Sequence, residues 1–409
     1  QLKSNGEIEF EFPVGVDFSL DILGTANDDT LVLDFSGGNV LDAVNLQWFG
    51  NESSTIEGDR LELTGHTTGV VEMFAMEHDG GTFTFDGIAV NFYGTAQLVD
   101  EFVVEHRAVF WRSDNSPGGA SDDVITLDDN GESNDDRSSI SQSPNGFSID
   151  FVSPTIALTL ATSDGDDTVS LRAVDAGFGD VMIDVLAGSG ADVVNVEGTD
   201  LNARVWGGDG NDRLVGDGGV DILFGDGGSD TLLGGSGPDV LYGGDDSDKL
   251  NGQGGDDAIS GGDGNDTLNG GGGADLLFGD DGNDLVQGQG SSLDRLSGGL
   301  GDDTLDGGSG YDHLFETADV DFTVIDTSLT GLGNDTLINI QLARLFGGSG
   351  NNALDASAFT GRAFLNGLGG HDTLTGGAAY DRLFGGSGRD LIVGGESGDV
   401  LRGQGGNWD

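Results

Sequence analysis

From Gly207 to Gln287 one aliphatic residue returns at every ninth position: Leu214, Leu223, Leu232, Leu241, Leu250, Ile259, Leu268, Leu277 and Val286. Two residues before each stands an aspartate: Asp212, Asp221, Asp230, Asp239, Asp248, Asp257, Asp266, Asp275 and Asp284. Glycine fills most of the remaining places, as in GGDGNDRLV, GDGGVDILF and GDGGSDTLL. Each nonapeptide reads as a turn of about six residues and a strand of about three, in which only the eighth residue points inward because side chains alternate faces. Two nonapeptides, about 18 residues, then make one coil, and the stacked coils make a narrow parallel solenoid.

The pattern slips once, in GQGSSLDRLS, and continues through Asp294, Asp303 and Asp312 with Leu296, Leu305 and Leu314. A second block, GLGGHDTLT, GGAAYDRLF, GGSGRDLIV and GGESGDVLR, carries Asp372, Asp381, Asp390 and Asp399. The closing GQGGNWD copies GQGSSLD and reads as a repeat cut short, and the chain opens at Gln1 without Met, so a piece of something longer is expected. We therefore place one regular block at 206–315, wider coils at 316–346, and a second regular block at 347–409 that continues past Asp409.

Residues 1–205 carry looser copies at irregular intervals: GTANDDTLV, SDGDDTVSL and AGSGADVVNV. Between them lie runs such as Thr82–Phe85, Val99–Val104, Val124–Leu127, Ile156–Leu160 and Val181–Val185, broken by Gly, Asn and Asp, which read as strands. Their intervals of roughly 20 residues suit an irregular, wider, right-handed parallel β-helix stacked on the narrow roll. A separate β domain, a sandwich over 1–150, is the alternative. The fold class expected is thus all-β: a parallel β-solenoid with a regular roll of 18-residue coils preceded by wider ones.

Composition sharpens the picture. With 77 glycines and 35% apolar residues in 409, there is little material for a thick core. Seventy-three acidic residues against 15 Lys and Arg give a net charge of -58, and such self-repulsion opposes a compact state unless cations intervene. A disordered acidic chain would not need aspartate at a fixed spacing. The charge also excludes nucleic acid and anionic membranes as partners. There is no cysteine for disulfides or thiolate metal sites, and no run approaches the roughly 20 apolar residues of a membrane span.

The candidate chemistry is cation binding. After Asp200 the only glutamates are Glu316 and Glu396, so the carboxylates sit on short, turn-favouring side chains. Glycine permits positive φ and lets backbone carbonyls converge without side chains in the way. Carboxylate and carbonyl oxygens are hard ligands, and calcium takes six to eight of them at about 2.3–2.6 Å in flexible geometry, whereas magnesium demands an octahedron. Stacked coils should bring sixth-position aspartates together, Asp212 against Asp230 and Asp221 against Asp239. The candidate ligands are Asp212, Asp221, Asp230, Asp239, Asp248, Asp257, Asp266, Asp275, Asp284, Asp294, Asp303, Asp312, Asp335, Asp372, Asp381, Asp390 and Asp399. To these we add Asp209 and the first-position glycines Gly207, Gly216, Gly225, Gly234, Gly243 and Gly261. Asn352, at a sixth position without charge, should mark a weak or empty site. Roughly a dozen calcium ions would cancel about 24 of the 58 negative charges, and binding and folding should be one event.

The pattern G-G-x-G-x-D-x-U-x resembles the repeat-in-toxin (RTX) calcium-binding repeats, closely over Gly207–Phe315 and Gly367–Asp409. GTANDDTLVLDFSGGN and SDGDDTVSLRAVDAGF are similar to solenoid segments of large bacterial surface proteins that carry such repeats. The resemblance implies a parallel β-roll with calcium held between turns and type I export to a calcium-rich exterior. It does not fix function, because proteases, lipases, toxins, S-layer proteins and adhesins all carry the roll.

Other chemistry finds little support. His66, His78, His106, His313 and His371 have no partners at metal-ligand spacing, and no H-E-x-x-H or G-x-S-x-G motif occurs. Pairs such as Asp122–Asp123 and Asp135–Asp136 are expected in so acidic a chain, and Phe92, Phe110 and Trp111 read as core filling of wide coils rather than a sugar platform. Ice binding would need a ladder of Thr and Asn that is missing here. The expectation is a non-enzymatic extracellular protein of the cell surface or matrix, such as an adhesin stalk, S-layer or filament component. Its expected partners are calcium, further copies of itself joined through solenoid ends or sides, and surface polysaccharide. The alternative is the calcium roll of a secreted hydrolase or of a polysaccharide lyase or epimerase.

Overall fold

A computed structural model describes residues 158–162, 164–172, 182–196 and 201–403, together with the backbone of strands between Phe18 and Ala157. Every described element is a strand. Among the described residues no helix is long and apolar enough to cross a membrane. The chain divides into two compact units, Gln1–Gly219 and Val220–Asp409.

In the first unit strands stack in parallel along the chain. Phe18–Leu23 pairs with Val44–Phe49, Thr30–Asp34 with Asp59–Thr64, and Ala157–Ala161 with Met182–Ser189. Antiparallel hairpins are inserted between the coils, one through Val70–Met76, Gly80–Phe85 and Ile88–Tyr93, another through Val124–Asp129, Arg137–Ser143 and Ser148–Val152. Of the expected strands, the end of Val99–Val104 lies outside the described residues, as do His66, His78, Asp122–Asp123, Asp135–Asp136, the opening of GTANDDTLV and the final GQGGNWD beyond Gly403. The side chains of His106, Phe92, Phe110 and Trp111 also lie outside them.

The second unit opens as a regular solenoid, with 18 residues from rung to rung between Asp221 and Asp284. Its eighth-position aliphatics, Leu223 to Leu314, are exposed by no more than 1%. Burying one leucine contributes roughly 2 kcal/mol, little against the backbone entropy of nine ordered, glycine-rich residues.

Two expectations need correction. In the first block the strands run six residues, as in Ile222–Gly227 and Thr231–Ser236, and so extend through the third residue of the following nonapeptide. Strands of three residues appear at Thr304–Asp306, near the end of that block, and then at Thr373–Thr375, Arg382–Phe384, Leu391–Val393 and Val400–Arg402. Because the backbone stays extended across the repeat boundary, alternation also continues across it. The sixth-position aspartate and the first-position glycine therefore face inward alongside the leucine.

Coils between the two blocks are widened by an inserted hairpin. Phe322–Ile325 pairs antiparallel with Ser328–Thr330, which pairs antiparallel with Asn334–Ile338. Phe322, Val324 and Leu329 from this hairpin are completely buried. Across the insertion the register slips by two residues: Leu314 stacks on Ala343 and then Ala363, while Glu316 stacks on Leu345, Leu365 and Leu383. This slip separates the two periodic blocks.

Candidate metal centre

The aspartates of the second unit form two ladders. In one, the backbone N–H of each member donates to Oδ1 of the next: Asp221 to Asp239 (2.9 Å), Asp239 to Asp257 (2.9 Å), Asp257 to Asp275 (3.0 Å), Asp275 to Asp294 (2.9 Å) and Asp294 to Asp312 (3.0 Å). The other runs from Asp230 to Asp248 (2.7 Å), Asp266 (2.8 Å), Asp284 (2.8 Å), Asp303 (2.8 Å) and Asp335 (3.1 Å). Asp335 keeps its place although 32 residues separate it from Asp303. Later, Asn352 donates to Asp372 and Asp372 to Asp390, while Asp381 donates to Asp399.

One oxygen of each carboxylate is thus an acceptor, and the other meets a different environment. Oδ2 of Asp239, Asp248, Asp257, Asp266, Asp275, Asp284, Asp294, Asp303, Asp312, Asp372 and Asp390 is buried without a hydrogen-bond partner. It points at the first glycine of its own nonapeptide. A Cβ at Gly243 would overlap Asp248 Oδ2 and the carbonyl oxygen of Gly261, one coil away, and a Cβ at Gly261 would meet Asp266 Oδ2 and the Gly279 carbonyl in the same way. Glycine at position one is therefore demanded by space. At position two the demand is conformational and admits other residues: φ is 70° at Asp226 and 71° at Gln253, a region that short polar side chains tolerate.

Burial dominates the electrostatics. Loss of hydration lifts Asp248, Asp257 and Asp284 to about 7, against the downward pull of the N–H from the preceding coil and with a further push from neighbouring aspartates. Asp335 also rises to about 7, and Asp239 and Asp294 to about 6, again chiefly through burial. Rows of buried carboxylates with a free oxygen and an adjacent carbonyl are a poor resting place for anions and a good one for a cation. Among the described residues no three His, Cys, Asp or Glu side chains converge. A cation here would draw most of its ligands from backbone carbonyls, which suits the many-oxygen shell of calcium.

Residues 197–232, 224–259, 251–286, 290–314, 357–392, 366–401 and 381–407 match the family model of the RTX calcium-binding nonapeptide repeat. By these repeats the chain belongs to the RTX calcium-binding family. No curated protein matches the chain. RTX repeats bind calcium, and proteins that carry them are typically secreted by type I systems.

With the family in hand, the exceptions within the RTX ladder become informative. Asn352 occupies a sixth position, but its amide is fully engaged: Oδ1 accepts from Gly348 N–H (2.9 Å), and Nδ2 donates to Asp319 Oδ1 (3.2 Å) and the Val320 carbonyl (3.1 Å). Gln341 Oε1 takes the N–H of Asp312 where an aspartate would stand. Asp381 has both oxygens paired, Oδ1 with Ala363 N–H (2.7 Å) and Oδ2 with Gly377 N–H (2.8 Å). Asp399 is only half-buried. The glycines Gly207, Gly216, Gly225, Gly234, Gly243 and Gly261 are buried at their first positions, whereas the side chain of Asp209 is exposed, because third positions face outward.

Three acidic residues were not among the sequence candidates. In the first unit Asp167 donates its N–H to Asp192 Oδ1 (2.7 Å) and Asp192 donates to Asp212 Oδ1 (2.8 Å), a ladder of the same kind at offsets of 25 and 20 residues. Their signal is in SDGDD and AGSGAD, where the motif persists although the period does not. Glu316, in a column of leucines, accepts from Gly298 N–H (2.8 Å) and Ser297 Oγ (3.1 Å), and burial lifts it to about 8. His313 is buried, and His371 Nδ1 accepts the N–H of Arg389 (2.8 Å), so both have structural surroundings.

Proposed function

We propose that this chain is a calcium-stabilised structural element of an extracellular protein, a stalk, layer, matrix or filament component of the cell surface, and not an enzyme. What carries the reading is the succession of buried aspartate Oδ2 atoms without partners, each beside a glycine that leaves no room for a side chain. These oxygens, with the first-position glycine carbonyls, would hold calcium, which supplies the positive charge that a -58 chain needs in order to stack its coils. The same arrangement repeats with little change along the second unit, as expected of a scaffold whose function scales with length.

The test is calcium titration of chelator-treated protein, followed by far-UV circular dichroism and calorimetry. The reading expects a steep, cooperative gain of β-structure with many ions bound per chain. A chain that folds equally well without calcium would overturn it. Hydrolysis or cleavage of polysaccharide or ester substrates by the calcium-loaded protein would overturn the non-enzymatic part alone.

A further inference from the structure

In so acidic a chain, the cations of the second unit are placed unevenly. His313–Thr317, Leu342–Phe346, Arg362–Asn366, Arg382–Phe384 and Val400–Arg402 are successive parallel rungs of one sheet. Along its outer face Phe315, Phe346, Phe364 and Phe384 form a continuous row, with ring centroids 5.6, 5.6 and 5.2 Å apart. Guanidinium groups lie over these rings: Arg344 is 5.2 Å from the Phe364 centroid, Arg382 5.7 Å from that of Phe384, and Arg402 5.8 Å from the same ring. None of the three makes an ion pair with a carboxylate among the described residues, and Arg344 Nε is buried without a hydrogen-bond partner. An arginine held flat on an aromatic ring keeps its N–H edge oriented for an oxyanion at little entropic cost. This stripe is built for an anion that the chain does not itself supply to it.

A complementary ladder lies earlier on the same sheet. Asp245 pairs in register with Asp263 and Asp263 with Asp281, and all three are exposed. Like charges on adjacent rungs repel, so this ladder gains from a row of cations set against it. The aspartates stand on every rung, about 4.8 Å apart, and the arginines on the same grid, with Arg344 and Arg382 two rungs apart and Arg382 and Arg402 on adjacent rungs, so the two can meet over several rungs when two solenoids lie side by side. Within one chain they cannot meet, since about three rungs, roughly 14 Å, separate Asp281 from Arg344 along the sheet.

We propose that the Arg344–Arg382–Arg402 stripe of one copy docks on the Asp245–Asp263–Asp281 ladder of a second copy. The contact uses different surfaces on the two partners, so each copy keeps one free surface of each kind and association propagates. The inference rests on the scaffold reading and names the surface through which scaffolds join.

The experiment is sedimentation velocity of the calcium-saturated chain over a range of concentration and salt. Three charge reversals accompany it: R382E/R402E, D245K/D263K/D281K, and the two sets combined. Circular dichroism of every sample separates failure to fold from failure to associate. We expect the wild type to form oligomers larger than dimers that shrink as salt screens the contact. Each reversal alone should weaken association by at least about tenfold, an equimolar mixture of the two should associate again into chains in which the two variants alternate, and the combined variant should also associate again. Association untouched by both reversals, or a wild type that is monomeric throughout, overturns the proposal while leaving calcium-dependent folding to decide the scaffold reading. Binding of a polyuronate by the wild type, lost in R382E/R402E with self-association unchanged, assigns the stripe to an acidic polysaccharide and overturns it too.

Discussion

Asp257 donates its backbone N–H to Asp275 Oδ1 at 3.0 Å across one coil, while Asp275 Oδ2 stays buried without a partner. The two oxygens of one carboxylate thus serve different purposes. Oδ1 belongs to the hydrogen-bond ladder, and Oδ2 is what a cation can use.

Replacing Asp257 by Asn separates those roles. The amide keeps the Oδ1 acceptor for the N–H of Asp239 and removes the buried charge. Asp257→Asn should lower the number of calcium ions bound, measured by calorimetry, and should stabilise the calcium-free fold, seen as a smaller chelator-induced loss of circular dichroism. A calcium stoichiometry equal to that of the wild type would show that Asp257 is not a ligand.

The pH dependence should reverse between the calcium-free and calcium-loaded states. Asp248, Asp257 and Asp284 rise from an unfolded value of 3.8 to about 7 in the fold, so folding favours their protonated forms. That contribution is fully present below pH 3.8 and is lost as pH rises through about 7. In chelator, thermal melts should therefore show higher stability near pH 4 than near pH 8. Calcium needs the carboxylates ionised, so its affinity should climb over the same interval. A calcium-free melting temperature that rises with pH would contradict the burial of these groups.

Glycines of equal frequency in the sequence should differ sharply in tolerance. Gly243→Ala places a methyl group against Asp248 Oδ2 and the Gly261 carbonyl, where backbone and metal-site oxygen cannot both give way. It should cost about 1–3 kcal/mol as overpacking and weaken calcium binding. Gly254→Ala has ordinary φ and meets nothing closer than the Gly235 carbonyl at 3.9 Å, so denaturant unfolding should find it neutral.

The nonapeptide block was readable because each repeated residue answers one local demand: aspartate for the ladder, leucine for the core, glycine for space. Strand length was misread because position-one glycine looks like a turn residue, although here it is buried strand. Asp167 and Asp192 escaped because offsets of 25 and 20 residues carry no fixed period, although stacking needs only that coils close. Around Glu316 the periodicity fails for a physical reason, a two-residue slip that no single nonapeptide encodes.

That slip makes Glu316 the site of a distinct pH response in the calcium-saturated protein. Its carboxyl stands in register with Leu345, Leu365 and Leu383 and accepts from Gly298 N–H and Ser297 Oγ. Burial raises it from 4.5 to about 8, so its stabilising, protonated form is complete below pH 4.5 and is lost as pH rises through about 8. Glu316→Gln retains the acceptor and cannot ionise. Melting curves of the two proteins should coincide near pH 4.5, separate as pH rises to about 8 and stay apart above it, with the variant higher by several degrees. Parallel curves across the whole range would mean that water reaches Glu316 and that the leucine column opens at the slip.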